Sequence, residues 1–244
     1  MFYGKYKIAD LIIEINSVYR DVHTYCIDYS SDEDPDITVN ITEDDIAFEK
    51  KVTEREFRFE GLSSPDFSDG EYEITAVYRS IAEKINALGR IVFHGSVVAV
   101  DGEAYLFTAK SGTGKSTHTR LWREYFGDKA VMINDDKPIL YITDNGVIVY
   151  GTPYNGKHRI GNNISAPLKA ICILERGENN KIVKITKSQA YAMLLQQVYR
   201  PQNKTGMAST LKLIDKLAEK TKLYCLECNM DISAAETAYN GMKG

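Results

Sequence analysis

The residues most able to do chemistry lie in one short segment, residues 109–117, which reads A-K-S-G-T-G-K-S-T. An apolar run precedes the segment and a predicted helix follows it. Small residues at such a junction leave successive backbone N–H groups facing one point at a helix N-terminus, where a polyanion binds. The pattern G-x-x-x-x-G-K-[ST] begins here with Ala109 in place of glycine, but its other positions are kept. We therefore predict a phosphate-binding loop.

Seven residues of this loop are candidate nucleotide ligands: Ser111, Gly112, Thr113, Gly114, Lys115, Ser116 and Thr117. In such loops the lysine reaches the β- and γ-phosphates, and the hydroxyl after it binds magnesium. The alternative interpretation is a chance glycine turn before a helix.

A second reactive group follows the short apolar strand predicted at residues 131–134. Asp135 and Asp136 come directly after it. Phosphoryl transfer needs positioning and charge neutralisation more than covalent help, so a lysine, a magnesium ion and a carboxylate suffice. We assign Ser116 and Asp136 to magnesium and Asp135 to the acceptor proton, and the roles of the two aspartates are open to exchange. The alternative is a helix cap or turn pair.

The strand that enters the loop is predicted to belong to a hairpin. Asp101-Gly102 is a dipeptide favoured in two-residue turns. A tight turn there pairs Val100 with Glu103 and carries His94 to the beginning of the loop. His94 is therefore a candidate catalytic residue, with a structural histidine as the alternative.

A second hairpin is predicted around Asn145-Gly146, a strong turn signal. Its register places two pairs of residues opposite each other: Asp136 with Asn155, and Asn134 with Lys157. The loop 155–159 then returns to the aspartates. Lys157 is a candidate transition-state clamp and Arg159 a candidate nucleotide contact, and solvated surface charges are the alternative.

The remaining pattern predicts an α/β fold with a mixed sheet, divided into a strand-rich N-terminal subdomain (1–65) and a main domain (66–244). In the subdomain, strands are expected in KIADLIIEI, HTYCIDY, DITVNI and IAFEKK. Ser68 and Glu71 form a capping box that begins a helix running to Leu88. In the main domain a strand is expected at LKAICILERG, and helices at 188–199, 204–221 and 231–242.

Composition excludes several classes of function. The net charge is −4 and no run of five basic residues occurs, which argues against nucleic acid and membrane surfaces as partners. No apolar stretch of 18 residues and no signal-peptide pattern is present, so we expect a cytoplasmic protein without a membrane span. Four cysteines give no disulfide framework, and Cys225 and Cys228 fall on opposite faces of a predicted strand. The oligomeric state stays open.

The order of these motifs resembles a known family. His94-Gly95, the hairpin, residues 111–117 and Asn134-Asp135-Asp136 are similar to the kinase domain of HPr kinase/phosphorylase and its relative phosphoenolpyruvate carboxykinase. The similarity covers about residues 91–180. It implies a P-loop kinase core of that type, with ATP in the loop, carboxylates serving Mg²⁺ and the acceptor hydroxyl, and serine as acceptor. The signature that follows the aspartates in the bifunctional enzyme is not recognisable in residues 151–167, so phosphorylase activity is not implied.

The sequence thus predicts an ATP- and Mg²⁺-dependent kinase acting on a hydroxyl, most simply a serine in a peptide, a protein or free serine. ADP, GTP and pyrophosphate stay open as donors. A GTPase is disfavoured because the segment Asn203-Lys204-Thr205-Gly206 lacks the aspartate of N-K-x-D. A non-catalytic nucleotide-binding sensor or scaffold is the alternative.

Overall fold

In the computed structural model, which describes residues 1–59, 61, 63 and 65–244, helices and strands are mixed throughout the chain. The fold is α/β, as the sequence predicts. The chain forms two units, Met1–Lys84 and Ile85–Gly244. All candidate site residues belong to the second unit.

The first unit contains a three-stranded sheet with the order β1-β2-β3, in which β1 and β2 are antiparallel and β2 and β3 parallel. The strands are β1 (Phe2–Ile8), β2 (Leu11–Ser17) and β3 (Ile37–Asn40). The helices are α1 (Asp21–Tyr25), α2 (Glu43–Phe59) and α3 (Asp69–Ile85). Ala9 and Asp10 adopt φ of 54° and 55°, which turns KIADLIIEI into a hairpin instead of a single strand.

Two of the predicted strands in this unit are wrong. HTYCIDY forms α1 and a 3-10 turn at Ile27–Tyr29, and IAFEKK lies inside α2. Helix α2 begins because Thr42 and Asp45 cap it reciprocally: the Asp45 N–H donates to Thr42 Oγ1, and the Thr42 N–H donates to Asp45 Oδ2 at 2.9 Å. Local capping therefore outweighs the β-propensity of the short apolar run.

The predicted helix at Ser68–Leu88 is confirmed. The Ser68 N–H donates to Glu71 Oε2 at 2.8 Å, and the Glu71 N–H donates to Ser68 Oγ at 3.3 Å. After Ile85 the helix tightens into a 3-10 turn at Asn86–Leu88, and Gly89 ends it with a left-handed φ of 74°.

The second unit is built on a mixed sheet of nine strands in the described part of the chain, with the path β4-β8-β9-β10-β6-β5-β7. Strand β12 pairs with β10 and β11. The strands are β4 (Arg90–Val92), β5 (Ser96–Val100), β6 (Glu103–Thr108), β7 (Ala130–Asn134), β8 (Ile139–Ile142), β9 (Val147–Tyr150), β10 (Ser165–Arg176), β11 (Lys181–Lys184) and β12 (Lys222–Cys228). The helices are α4 (Lys115–Phe126), α5 (Lys187–Gln197), α6 (Lys204–Lys220) and α7 (Ser233–Met242). The predicted strand and three C-terminal helices are confirmed.

Helices cover both faces of this sheet. On β6, Leu106 points into a core that includes residues of α5 and α6, whereas Tyr105 and Phe107 point into a core that includes Trp122 of α4. Strand β10 joins the two parts of the sheet, because its first residues pair with β9 and its later ones with β6 and β12. The strand entering the loop is therefore buried between β5 and β10.

The first predicted hairpin is confirmed, since Val100 pairs with Glu103 and Ser96 with Phe107. The register predicted for the second hairpin is wrong by two residues. Ile142 pairs with Val147, so Asp144 and Asn145 form the two-residue loop. The predicted pairs Asp136 with Asn155 and Asn134 with Lys157 lie beyond the ends of these strands, where the Lys137 N–H donates to the Tyr154 carbonyl at 3.0 Å.

The side chain of Thr143 explains this shift. Its hydroxyl donates to the Gly146 carbonyl at 2.9 Å and accepts the Asn145 N–H at 3.2 Å. The turn therefore closes one residue earlier than the Asn-Gly signal indicates. A shift of two residues preserves the face on which each side chain lies.

Candidate functional site

The loop between β6 and α4 has the backbone conformation that its glycines allow. Gly112 has a φ of 72° and Gly114 a φ of 120°, and side chains rarely adopt such values. A Cβ atom at Gly112 would meet nothing within 4 Å, so the loop is open there. Ala109 is fully buried in the core that contains Trp122, which explains why alanine suits the first position of the pattern.

Helix α4 begins directly after this loop. Gly114 is its N-cap residue and supplies no side-chain cap, so the first N–H groups of the helix face the loop without one. Lys115 is half-buried and Ser116 is exposed. Burial lowers the pKa of Lys115, and the nearby charge of Asp136 opposes that shift. The loop, the ammonium group and the helix N-terminus together favour an anion.

Asp135 is buried at the end of β7 and is held by a short chain of hydroxyls. Ser96 Oγ on β5 donates to Asp135 Oδ1 at 2.5 Å and lies 2.8 Å from Thr119 Oγ1 on α4. Because the Ser96 proton goes to Asp135, the Thr119 hydroxyl donates to Ser96 Oγ, and Thr119 Oγ1 also lies 3.3 Å from the Ser116 carbonyl oxygen. Asp135 is therefore connected to the first turn of α4, where Ser116 lies.

Asp136 is half-exposed and faces one imidazole and one ammonium group. Its Oδ1 lies 3.4 Å from His94 Nε2 and 3.4 Å from Lys137 Nζ. Asn134 shapes this turn, because its Oδ1 accepts the N–H groups of Asp136 and Lys137 at 2.9 and 2.8 Å. The two aspartates thus point to different surroundings, although they are adjacent in sequence.

His94 is fixed by its backbone. Its N–H donates to the Gln197 carbonyl at 2.7 Å, and its carbonyl accepts from Thr108 Oγ1 at 3.0 Å. Burial, followed by the charges of Lys137 and Lys115, lowers the pKa of its imidazole to about 4, while Asp136 acts in the opposite direction. The ring is therefore neutral at pH 7.

The loop after β9 returns to the aspartates, as the sequence predicts, even though the register differs. The Cβ position of Gly156 lies 3.5 Å from Asp136 Cβ and 3.6 Å from the Asp135 carbonyl oxygen. The side chains of Lys157 and Arg159 are exposed. The structure thus brings together His94, Lys115, Asp135 and Asp136, whereas Lys157 and Arg159 lie on an exposed part of the neighbouring loop.

A family model matches this region. The model described as SynChlorMet cassette protein ScmC matches residues 69–230, well over half of the 244 residues. The chain belongs to the ScmC family. The match begins with the first residue of α3 and includes every candidate site residue of this ScmC protein.

Two other comparisons were informative in different ways. A solved structure of the Hpr(Ser) kinase/phosphatase from Coxiella burnetii is similar to the ScmC chain at 11% identity, with 63% of this chain and 99% of that chain covered and a TM-score of 0.34. A TM-score of this size is too low to bear on activity. No curated protein matches the ScmC chain.

Sequence reasoning missed two residues of the ScmC site. Lys137 directly follows the aspartates, and Ser96 follows His94-Gly95 by one position. Proximity to the motifs was the available signal for both. Lys137 became a candidate only when its ammonium group was seen 3.4 Å from Asp136, and Ser96 when its hydroxyl was seen on Asp135.

Magnesium suits the ligands that the ScmC site offers. Among the described residues, no group of three or more histidine, cysteine, aspartate or glutamate side chains is arranged to hold a metal. Magnesium usually binds through one or two carboxylates together with substrate phosphates and water, so it does not need such a cage. The Ser116 hydroxyl and the carboxylates of Asp135 and Asp136 are oxygen donors of that kind.

The cysteine pair singled out in the ScmC sequence, Cys225 and Cys228, forms no disulfide. All four cysteines are free, and burial raises the pKa of Cys225 to about 11 and also raises that of Cys228. Both thiols are therefore protonated at neutral pH, which disfavours metal binding and redox reactivity.

Within the described parts of the chain, none of the helices has both the length and the apolar character needed to cross a bilayer.

Proposed function

We propose that this ScmC protein is a magnesium-dependent kinase that transfers the γ-phosphate of ATP to a hydroxyl, with a serine of a peptide or protein, or free serine, as the acceptor. The observation that carries the proposal is the position of Asp136. Its carboxylate lies 3.4 Å from both His94 and Lys137, and its charge acts on Lys115 at the beginning of α4. A carboxylate beside cations at a phosphate-binding loop suits phosphoryl transfer to a hydroxyl.

The loop has the role of holding the phosphates. The left-handed backbone at Gly112 and the free first turn of α4 support N–H donation to phosphate oxygens. Lys115 reaches the β- and γ-phosphates from the same turn. Lys137 adds a second positive charge beside Asp136 and stabilises the charge that develops on the transferred group.

The geometry favours one of the two assignments left open for the aspartates. Asp135 is buried and connected through Ser96 and Thr119 to the turn that carries Ser116, so it is the carboxylate suited to magnesium. Asp136 is half-exposed beside the neutral imidazole of His94, so it is suited to accept the proton of the attacking hydroxyl. This reverses the roles first assigned from the sequence.

Ser116 and Asp135 would hold the metal, together with phosphate oxygens and water. A bound magnesium ion would neutralise phosphate charge. The protein's own residues then provide the rest: the loop and Lys115 orient the donor, Asp136 takes up the proton, and His94 positions that carboxylate. Lys157 and Arg159 lie on the loop that contacts the aspartates and are retained as candidates for contacting the nucleotide or acceptor.

The experiment is transfer of label from γ-labelled ATP in the presence of magnesium, with free serine and serine-containing peptides as acceptors. Label on an acceptor should be lost in Lys115→Ala and Asp136→Asn proteins and kept in Asp144→Asn, a matched change at an exposed hairpin turn. Tight ATP binding without any labelled acceptor would favour the non-catalytic sensor or scaffold. Transfer that survives both site variants would refute the proposed mechanism.

A further inference from the structure

A pocket of about 360 Å³ opens beside the phosphate-binding loop. It lies between the first turns of α4 and the carboxyl ends of β10 and β12. Besides loop residues, its lining includes His118, Leu121, Leu174, Arg176, Asn229 and Met230. None of the roles proposed above uses this space.

The pocket and the loop share a wall. Gly112, Thr113 and Gly114 line the pocket, and Arg176 Nη2 on β10 donates to the Gly112 carbonyl at 2.6 Å. A molecule in the pocket would therefore lie against Gly112, Thr113 and Gly114, which belong to the proposed phosphate-binding loop. One ligand with a polyphosphate part and a second part would occupy both spaces.

The chemistry of the pocket indicates what the second part is. Leu121, Leu174 and Met230 provide apolar surface, and Met230 stands 79% exposed at the rim. Arg176 and Asn229 add a small number of polar groups. A pocket of a few hundred cubic ångströms with apolar walls and few polar groups is typical of sites for small organic ligands. An inorganic polyphosphate has no apolar surface to bury against these walls.

His118 adds an independent observation. Its side chain is buried, and its Nε2 accepts the indole N–H of Trp122 at 3.1 Å. Burial lowers the pKa of its imidazole to about 3, so the ring is neutral and its proton is on Nδ1. That buried Nδ1 has no hydrogen-bond partner among the described residues. A polar atom of a ligand would supply the missing acceptor.

We propose that this pocket holds the base and sugar of the nucleotide whose phosphates bind the loop, with Leu121, Leu174 and Met230 against the base and His118 donating to the ligand. The inference rests on the proposed function and deepens it, because it selects a nucleoside triphosphate over pyrophosphate as the donor. Met230 is then a determinant of nucleotide affinity.

The test is calorimetric binding of ATP and of tripolyphosphate, each with magnesium, to the full chain. ATP should bind more tightly than tripolyphosphate. Met230→Ala should weaken ATP binding about fivefold to tenfold through lost apolar contact and leave tripolyphosphate unchanged. Ile232→Ala, which removes another exposed apolar side chain outside the pocket, is the matched control and should change neither.

A second measurement does not depend on a substitution. The ¹⁵N resonance of His118 Nδ1 should shift on adding ATP and stay in place on adding tripolyphosphate. Equal affinities for the two ligands, both unaffected by Met230→Ala, would overturn the pocket assignment and leave the phosphate loop intact. Failure of both ligands to bind the unmodified protein would overturn the proposed function and this inference with it.

Discussion

The Asp136 carboxylate lies 3.4 Å from the imidazole Nε2 of His94. His94 comes two residues before strand β5, which pairs with β6, the strand that leads into the phosphate-binding loop. The same carboxylate lies 3.4 Å from Lys137. The negative charge of Asp136 raises the pKa of His94 and the positive charge of Lys137 lowers it. Removing each charge should therefore move the pKa of His94 in a different direction.

The first prediction concerns that pKa. The imidazole should titrate near pH 4 in the folded protein. Lys137→Met should raise the pKa, because it removes a cation that disfavours the imidazolium, and Asp136→Asn should lower it further. NMR titration of the His94 ring in the three proteins measures this. A shift in the same direction in both variants would contradict the arrangement of charges.

Stability should also depend on pH through His94 and His118, whose pKa values are lowered furthest. His94 and His118 have lowered pKa values in the folded protein, about 4 and about 3. As the pH falls below about 6.5, these histidines therefore bind protons in the unfolded chain before they do so in the folded protein. The contribution of the two histidines to the free energy of unfolding thus decreases as the pH falls from about 6.5 to their folded-state pKa values. Urea unfolding at pH 7 and pH 5 tests this. His118→Phe should reduce the pH dependence.

Lys137 should matter for the reaction more than for nucleotide binding. Lys137→Ala should lower kcat by about 10²-fold, the size expected when one charged donor to a transition state is removed. Lys129→Ala, an exposed lysine next to the opposite end of β7, is the control and should leave kcat unchanged. Steady-state kinetics with an acceptor identified by the transfer of label would measure both, and an equal loss in the two variants would argue against a specific role.

Gly112 and Gly102 offer a matched pair. Their φ values are 72° and 80°, and a Cβ atom at either would meet nothing within 4 Å. Each change to alanine should therefore cost about 1 kcal/mol of stability from backbone strain alone. Only Gly112→Ala should weaken ATP binding, because Gly102 lies in the distant turn of the β5–β6 hairpin. Thermal unfolding and calorimetry separate the two effects.

Ser96→Ala should loosen the carboxylate assigned to magnesium. Ser96 Oγ is a buried donor to Asp135, so its loss should cost about 1.5–3 kcal/mol, as for hydrogen bonds to charged groups. The magnesium concentration for half-maximal activity should rise at the same time. Ser165→Ala at the exposed beginning of β10 is the control. Lost stability with unchanged magnesium dependence would assign Ser96 a purely structural role.

Much of this arrangement was predictable because it is encoded locally. The capping box at Ser68 and Glu71 and the Asp101-Gly102 turn are short-range signals, and both formed as predicted. The glycines of the loop are likewise readable from sequence, since the backbone needs them. His94 and the aspartates approach the loop because the β5–β6 hairpin and its neighbour β7 bring them there.

The failures have different physical causes. The strand predicted inside α2 failed because a reciprocal cap at Thr42 and Asp45 began a helix. The register predicted for the second hairpin was wrong because the hydroxyl of Thr143 closes the turn one residue earlier than the Asn-Gly signal indicates. Lys137 was missed because its position next to the aspartates in sequence does not show which way its ammonium group points.

Strand β10 contacts two loops that border the site. At its amino end Ser165 pairs with Tyr150, just before the loop that approaches Asp135 and Asp136. At its carboxyl end Arg176 donates to the Gly112 carbonyl of the phosphate-binding loop. Because both loops are attached to one continuous strand of twelve residues, a displacement of β10 would move them together.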